Sequence, residues 1–184
     1  YPRTAHGLWG IIASPFIHKN VSHLAHNSLP LFVLLMALFY FYNRISYKIL
    51  IYGVLISGTL TWIIARPAYH IGASGIVYLL VSFIFFSGIF SKYYRLIAVS
   101  LIVVFLYGSL VWYMFPVEEE MSWEGHLSGF IAGLLLAFVY RKVLPEPEKY
   151  AWEHDTYQED DFDALFDADG NFNPPQEDIK DKSL

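Results

Sequence analysis

Five long apolar stretches without a charged residue make up most of the first 144 residues. They run Asn20–Asn43, Ile49–Ala65, Pro67–Ser91, Leu96–Val117 and Gly125–Tyr140. A helix that crosses a bilayer needs about 20 mostly apolar residues, within a range of about 17 to 25. Helices buried in a soluble core would carry a polar outer face, which these stretches lack. The pattern therefore predicts five membrane-spanning helices, and a soluble all-helical domain is the weaker alternative.

The composition agrees with a membrane protein. Hydrophobic residues make up 55% and charged residues 16% of the 184 residues, whereas about a quarter of the residues of a soluble domain are charged. The chain has no Cys, which excludes a disulfide framework, a thiolate zinc site and a cysteine nucleophile. A formal net charge of −5 without a basic patch argues against nucleic acid as a partner. The partner that this composition predicts is the lipid bilayer.

The charge of the chain changes sign near residue 144. No Asp or Glu precedes Glu118, and residues 1–144 carry a balance of +5, whereas residues 145–184 carry −10. We interpret 1–144 as a membrane domain and 145–184 as an acidic, disordered tail. The tail segment Asp167–Asn171 is similar to part of a calcium loop, but its Gly is misplaced and no closing Glu follows. We therefore predict no metal site there.

Basic residues are unevenly shared between the two sets of alternate loops. One set holds Arg44, Lys48, Lys92, Arg95, Arg141, Lys142 and Lys149. The other set holds Arg3, Lys19 and Arg66, together with the acidic run Glu118–Glu120. Short loops rich in Lys and Arg stay on the cytoplasmic side of a membrane. We therefore expect the first set and the acidic tail in the cytoplasm, and the first, third and fifth spans to start at the outer face.

Polar residues occupy the first turns of the three spans that start at the outer face. His23 and Asn27 lie in the first span, Ser74 in the third and His126 in the fifth. An ionisable side chain inside a membrane is costly and is by default a functional hypothesis. His23 and Asn27 are four residues apart, so they share a helix face. The topology predicts that these side chains lie in one layer near the outer surface.

A serine and a histidine on different helices can form a nucleophile–base pair when the helices approach closely. His126, Gly129 and Gly133 fall on one helix face, and the two glycines form a small-residue surface that permits such an approach. Gly75, next to Ser74, is the natural partner for this surface. The spacing therefore predicts packing through these glycines and a pair in which His126 accepts the proton of Ser74.

The scarcity of carboxylates favours a Ser-His dyad over a Ser-His-Asp triad. Glu124 is the near candidate for a third member, but residues two apart on a helix do not face each other. We expect packing, for instance on the ring of Tyr78, to orient His126. The side chains of His23 and Asn27 are candidate donors to the oxyanion that forms during acyl transfer.

The polar clusters follow the order and spacing of three known motifs. They are His18-Lys-Asn-Val-Ser-His23-Leu-Ala-His26-Asn27, then Gly72-Ala73-Ser74-Gly75 with an aromatic residue at Tyr78, then His126-Leu-Ser-Gly129-Phe-Ile-Ala-Gly133. Each motif alone is weak evidence, whereas the ordered set is specific. Over Trp9–Tyr140 the sequence resembles the rhomboid family of intramembrane serine proteases.

This resemblance implies a fold and roles for individual residues. The fold is a helical bundle with a six-helix core, of which five spans are visible here and one would precede Tyr1. The implied roles are nucleophile for Ser74, base for His126, oxyanion support for His23, Asn27 and Gly72, and ring packing on His126 for Tyr78. The helix-packing residues that the spacing predicts are Gly75, Gly129 and Gly133.

The resemblance also implies an activity and a place in the cell. The expected reaction is hydrolysis of transmembrane protein substrates near their outer ends, in a water-filled cavity open to the outer face and without a cofactor. The expected location is the plasma membrane of a bacterium, which the chain crosses several times.

Two other function classes stay open at this point. The first is a catalytically silent rhomboid-like protein that binds membrane helices, against which the intact Ser74 and His126 argue. The second is a haem or metal protein that uses histidines of the bundle, but the chain lacks a His-Glu-x-x-His motif. The candidate ligands for that second class are His23, His26, His70 and His126.

Overall fold

The computed structural model describes residues 1–91, 93–116, 121–143, 162–167 and 169–173. The α-helices are α1 (Gly10–Ala13), α2 (Val21–Phe41), α3 (Ser46–Ile64), α4 (Ser74–Ser91), α5 (Tyr94–Tyr107) and α6 (Trp123–Val139). Short 3₁₀ segments cover His6–Trp9, Ser14–Phe16, Gly108–Met114 and Asp163–Leu165. No strand occurs within the described residues, and the predicted all-helical membrane class is confirmed.

Four helices in the described part of the chain are long and apolar enough to cross a membrane. They are α2, α3, α4 and the segment Tyr94–Met114, which joins α5 to the 3₁₀ turns that follow it. α6 is also apolar but has 17 residues. Its rise is about 25 Å, somewhat less than the roughly 30 Å of a hydrocarbon core. The five predicted spans are thus present as four long helices and one shorter helix, and the chain is a multi-pass membrane protein.

Two of the predicted spans differ from the observed helices at one end. The third begins at Ser74 rather than at Pro67, because the residues between them form a loop. In that loop Gly72 has a φ of +108°, a conformation that glycine adopts without a steric penalty. The fourth changes from α-helix to 3₁₀ helix at Gly108. Both departures lie at the end of the bundle that holds His126.

α4 is the central helix of the bundle. It packs against α2, α3, α5 and α6, and it buries Leu79, Leu80, Phe83 and Ile84 completely. Its most extensive contact is with α6, where Gly133 lies directly against the α4 backbone. A Cβ atom at Gly133 would collide with the carbonyl oxygen of Leu79 and lie 2.8 Å from the amide nitrogen of Phe83. A helix pair this close needs glycine at the contact.

The chain divides into two compact units, Tyr1–Glu146 and Pro147–Leu184. The boundary after residue 144 that the charge pattern predicts stays a prediction. The predicted disorder of the acidic tail falls largely on residues 144–161 and 174–184, which lie outside the described residues.

Part of the second unit is a short loop closed by its own polar groups. The Asp167 carboxylate accepts hydrogen bonds from the backbone N–H groups of Asn171 at 2.8 Å and Asp169 at 3.0 Å. The backbone and side-chain donors of Asn171 hold the pKa of Asp167 below its usual range. The carboxylate is therefore occupied by its own loop.

Replacing Gly133 with alanine should destabilise the bundle, because the new Cβ meets the backbone of α4, which cannot move aside as a side chain can. Overpacking of this kind costs about 1–3 kcal/mol. Gly10→Ala is the matched control, since nothing lies within 4 Å of a Cβ atom at Gly10. Unfolding of the purified protein in detergent micelles measures both effects. Equal stability of the two variants would contradict the close contact of α4 with α6.

Candidate active site

Ser74 and His126 lie within hydrogen-bonding distance at the start of two packed helices. Ser74 is the first residue of α4, and His126 lies in the first turn of α6. Ser74 Oγ is 2.9 Å from His126 Nε2. The two helices can approach this closely because Gly129, one turn after His126, has no side chain. A Cβ atom at Gly129 would collide with the carbonyl oxygen of Gly75. The hydroxyl and the imidazole that the sequence predicts as a pair are therefore neighbours.

A backbone carbonyl group determines which nitrogen of His126 carries the proton. His126 Nδ1 lies 2.9 Å from the carbonyl oxygen of Tyr113. Because a carbonyl oxygen can only accept a hydrogen bond, Nδ1 carries the proton and donates it. Nε2 then presents its lone pair to the hydroxyl of Ser74. His126 is 6% exposed, so this arrangement is held within the protein.

The ring of Tyr78 lies flat against His126. The ring centroids are 4.3 Å apart and the ring planes are inclined by 11°. Tyr78 lies one turn after Ser74, and its hydroxyl donates a 2.7 Å hydrogen bond to the carbonyl oxygen of Leu110. The sequence predicts that the ring of Tyr78 packs on His126, and the two rings are stacked. The sequence does not predict the two carbonyl groups, of Leu110 and of Tyr113, because backbone groups leave no mark in a sequence.

The carbonyl groups belong to the 3₁₀ segment Gly108–Met114. An α-helix uses its carbonyl oxygens for its own hydrogen bonds, whereas the last turns of a helix leave several of them without an intrahelical partner. The change from α-helix to 3₁₀ helix at Gly108 therefore comes where the bundle uses carbonyl oxygens to hold Tyr78 and His126.

Gly72 lies beneath two side chains of α2. A Cβ atom at Gly72 would lie 2.8 Å from His23 Nε2 and 3.4 Å from Asn27 Nδ2. Both polar atoms therefore face the turn that immediately precedes Ser74. Asn27 is 8% exposed, and its Nδ2 is one of two buried side-chain atoms without a hydrogen-bond partner in the described part of the chain.

The loop before α2 orients His23. Asn20 is the N-cap of α2, and its side chain accepts a hydrogen bond from the amide of His23 at 2.8 Å. The amide of Lys19 lies 3.5 Å from His23 Nδ1, and Nε2 of the same ring faces Gly72. An Asn directly before an apolar stretch is a cap signal that sequence reasoning can find.

The remaining histidines of the motif region serve other contacts. His18 Nε2 accepts a 3.4 Å hydrogen bond from the amide of Ala73 and its ring meets that of His23 edge to face at 5.2 Å. His26 is exposed and bonds the carbonyl oxygen of Ser22, on its own helix, at 2.7 Å. Within the described residues, no group of three His, Asp or Glu side chains is arranged to hold a metal ion.

A cavity of about 40 Å³ opens beside Ser74. Part of its wall is polar, from the side chains of Ser57, Thr61, His70 and Ser122. A polar cavity needs about 10–15 Å³ to hold one water molecule. The space next to the hydroxyl is thus large enough and polar enough for water.

Comparison with known proteins identifies the family of the chain. A family model described as "Rhomboid domain" matches residues 5–143. Uncharacterized protein Mb1372 of Mycobacterium bovis and Uncharacterized protein Rv1337 of Mycobacterium tuberculosis are each 36% identical to the chain over 161 residues, covering 82% of the chain and 65% of the relative. Uncharacterized protein ML1171 of Mycobacterium leprae is 33% identical over 153 residues, covering 77% and 58%. The chain spans less than two thirds of the length of these relatives.

The hydrogen bond to Tyr113 predicts an Nδ1-protonated tautomer for neutral His126. Nitrogen NMR of protein carrying ¹⁵N-labelled histidine distinguishes a protonated from an unprotonated ring nitrogen. A His126→Gln variant identifies the resonance by its disappearance. A neutral His126 with its proton on Nε2 would contradict the hydrogen bond from Nδ1 to the carbonyl oxygen of Tyr113.

Proposed function

Since the chain belongs to the rhomboid family, we propose that it is an intramembrane serine endopeptidase with Ser74 as nucleophile and His126 as general base. The observation that carries this proposal is the 2.9 Å distance between Ser74 Oγ and His126 Nε2. Nucleophile and base need a separation of about 2.6–3.2 Å for proton transfer. The hydrogen bond from His126 Nδ1 to Tyr113 supports the proposal further, because it leaves Nε2 free to accept a proton.

The first chemical step is attack of Ser74 on the substrate peptide bond. As Oγ bonds to the carbonyl carbon, its proton passes to His126 Nε2 and the carbonyl oxygen becomes an oxyanion. His23 Nε2 and Asn27 Nδ2 are the donors proposed for this oxyanion. The buried amide of Asn27 lacks an acceptor in the described residues, a state that costs about 1–3 kcal/mol. An oxyanion would satisfy it, so the donor favours the transition state.

The second step releases the amine and then the acid. The C–N bond breaks as the imidazolium of His126 gives its proton to the leaving nitrogen, which leaves an acyl group on Ser74. Water then attacks the acyl carbon while His126 takes its proton. The bond between that carbon and Oγ breaks, His126 returns the proton to Oγ, and the acid departs. The polar cavity beside Ser74 is a suitable source of that water, because it is large enough to hold it.

The carbonyl of Tyr113 takes the place that a carboxylate holds in a triad. It accepts from Nδ1 in both the neutral and the protonated form of His126 and fixes the ring orientation. The stacked ring of Tyr78 supports the imidazolium on its face. The base is therefore oriented by these two contacts, without a carboxylate.

The substrates proposed are transmembrane proteins, cut near their outer ends. The site lies where α4 and α6 begin, and the basic residues Arg44, Arg95 and Arg141 lie near the opposite ends of the helices. If these basic residues are cytoplasmic, the site is near the outer face. This orientation is part of the proposal.

Ser74→Ala should abolish both substrate cleavage and labelling by a serine-reactive fluorophosphonate, because no other group takes over the attack. Ser82→Ala is the matched control on the same helix, since Ser82 is buried and donates a 2.8 Å hydrogen bond to the carbonyl of Phe130. We expect it to label normally. A folded protein that forms no adduct, and that cleaves substrate no faster than its Ser74→Ala variant, would refute the proposal and favour a catalytically silent relative.

The labelling rate of Ser74 should fall on the acid side of neutrality, because protonated His126 has no lone pair to accept the proton of the hydroxyl. In the pH range in which the imidazole is mostly protonated, the rate constant of labelling should drop about tenfold for each unit by which the pH is lowered. Single-turnover labelling between about pH 5 and pH 8 tests this, since unperturbed histidine titrates in this range. A flat profile with the chemical step limiting would contradict the role of His126.

A further inference from the structure

A buried carboxylate joins the first turn of α6 to the loop that precedes α4. Glu124 is 2% exposed. Its Oε1 accepts a hydrogen bond from the backbone amide of Arg66 at 3.2 Å and lies 3.8 Å from Nη1 of the same arginine. Nη2 of Arg66 donates to the carbonyl oxygen of Met121 at 2.8 Å. One arginine thus binds both the side chain and the backbone of the segment that leads into α6.

A second link runs beside the first. His70 Nε2 lies 3.0 Å from the carbonyl oxygen of Arg66, and His70 Nδ1 lies 2.6 Å from the hydroxyl of Ser122. Since the carbonyl only accepts, Nε2 carries the proton and Nδ1 accepts from Ser122. The loop before Ser74 is therefore bound to the start of α6 at two residues, Arg66 and His70.

Glu124 is not a third member of a triad. Nδ1 of His126, the atom that a triad carboxylate would bind, donates to Tyr113 instead. Glu124 precedes His126 by two residues, so the two side chains leave the helix in different directions. One faces Arg66 and the other faces Ser74.

The location of this network matters for the distance between nucleophile and base. Ser74 follows His70 by four residues, and His126 follows Glu124 by two, so the network ties together the two segments that bring the reacting atoms together. A buried ion pair adds little to stability compared with apolar packing. A displacement of about 1 Å, by contrast, can reduce a catalytic rate about 10²-fold.

We propose that Glu124 and Arg66 are positioning residues, which hold Ser74 and His126 at reactive distance without touching the substrate. This inference rests on the proposed function, because it assigns the pair a role in the chemistry of that same site. Its prediction is a lower rate constant of reaction at Ser74, not a smaller amount of folded protein.

The test measures fluorophosphonate labelling of the full chain in liposomes, recording the rate constant and the final labelled fraction separately. We expect Glu124→Gln to lower the rate constant at least about tenfold with the labelled fraction unchanged. Tyr42→Phe is the matched control, because it removes a buried 2.7 Å hydrogen bond to Ser87 at the opposite end of the bundle. It should lower the unfolding temperature and leave the rate constant as in the unaltered chain.

A second pair of variants decides the matter if Glu124→Gln does not fold. Arg66, whose side chain is 36% exposed, tolerates change more readily. Arg66→Gln should also slow labelling, and Arg66→Lys, which retains the positive charge beside Glu124, should restore part of the rate.

Three outcomes are distinguishable. A lower rate constant with an unchanged final labelled fraction in the Glu124 or Arg66 variants supports the positioning role. Unchanged rate constants, or a loss confined to the labelled fraction, refute that role while the proposed protease function stands. An unaltered chain that is not labelled at all refutes the protease function and the positioning role together.

Discussion

The close contact between α4 and α6 is the constraint on which the rest of the structure depends. At Gly129 and Gly133 the backbone of α4 occupies the space where a side chain would otherwise be. In a bilayer, helices gain little from apolar burial against one another, so close van der Waals packing must hold them together. The same closeness brings the hydroxyl of Ser74 within 2.9 Å of His126. The packing of the two helices and the candidate chemistry therefore both depend on glycine at positions 129 and 133.

The polar groups around this contact show how a membrane protein that has few charged residues can orient a histidine. The chain contains no carboxylate before Glu118, and the orienting acceptor for His126 is the carbonyl oxygen of Tyr113. A neutral acceptor avoids the cost of burying an isolated charge. The carboxylate that is present at the start of α6, Glu124, binds Arg66 instead. The charged pair thus links the loop before α4 to α6, and neutral groups contact the imidazole.

Most of the fold was predictable because the bilayer imposes a simple requirement on it. Each span must be long and apolar, and charges between spans mark their ends. The two errors, at the start of α4 and the end of α5, have one cause. The segment from Pro67 to Ala73 and the segment from Gly108 to Val117 are apolar in composition. The backbone is nevertheless not α-helical at Gly72 and at Gly108. Apolar composition does not distinguish a helix from an apolar loop or a 3₁₀ turn.

By itself, the sequence determined the membrane class, the apolar helices, the family, and which side chains were candidates for chemistry, since these follow from composition and from spacing along a helix. Only the tertiary structure decided the tautomer of His126, the acceptors of Tyr113 and Leu110, and the partner of Glu124. These depend on backbone groups and loops brought together from distant parts of the chain. A carbonyl oxygen is the same in every residue, so its direction becomes known only when the helices are packed.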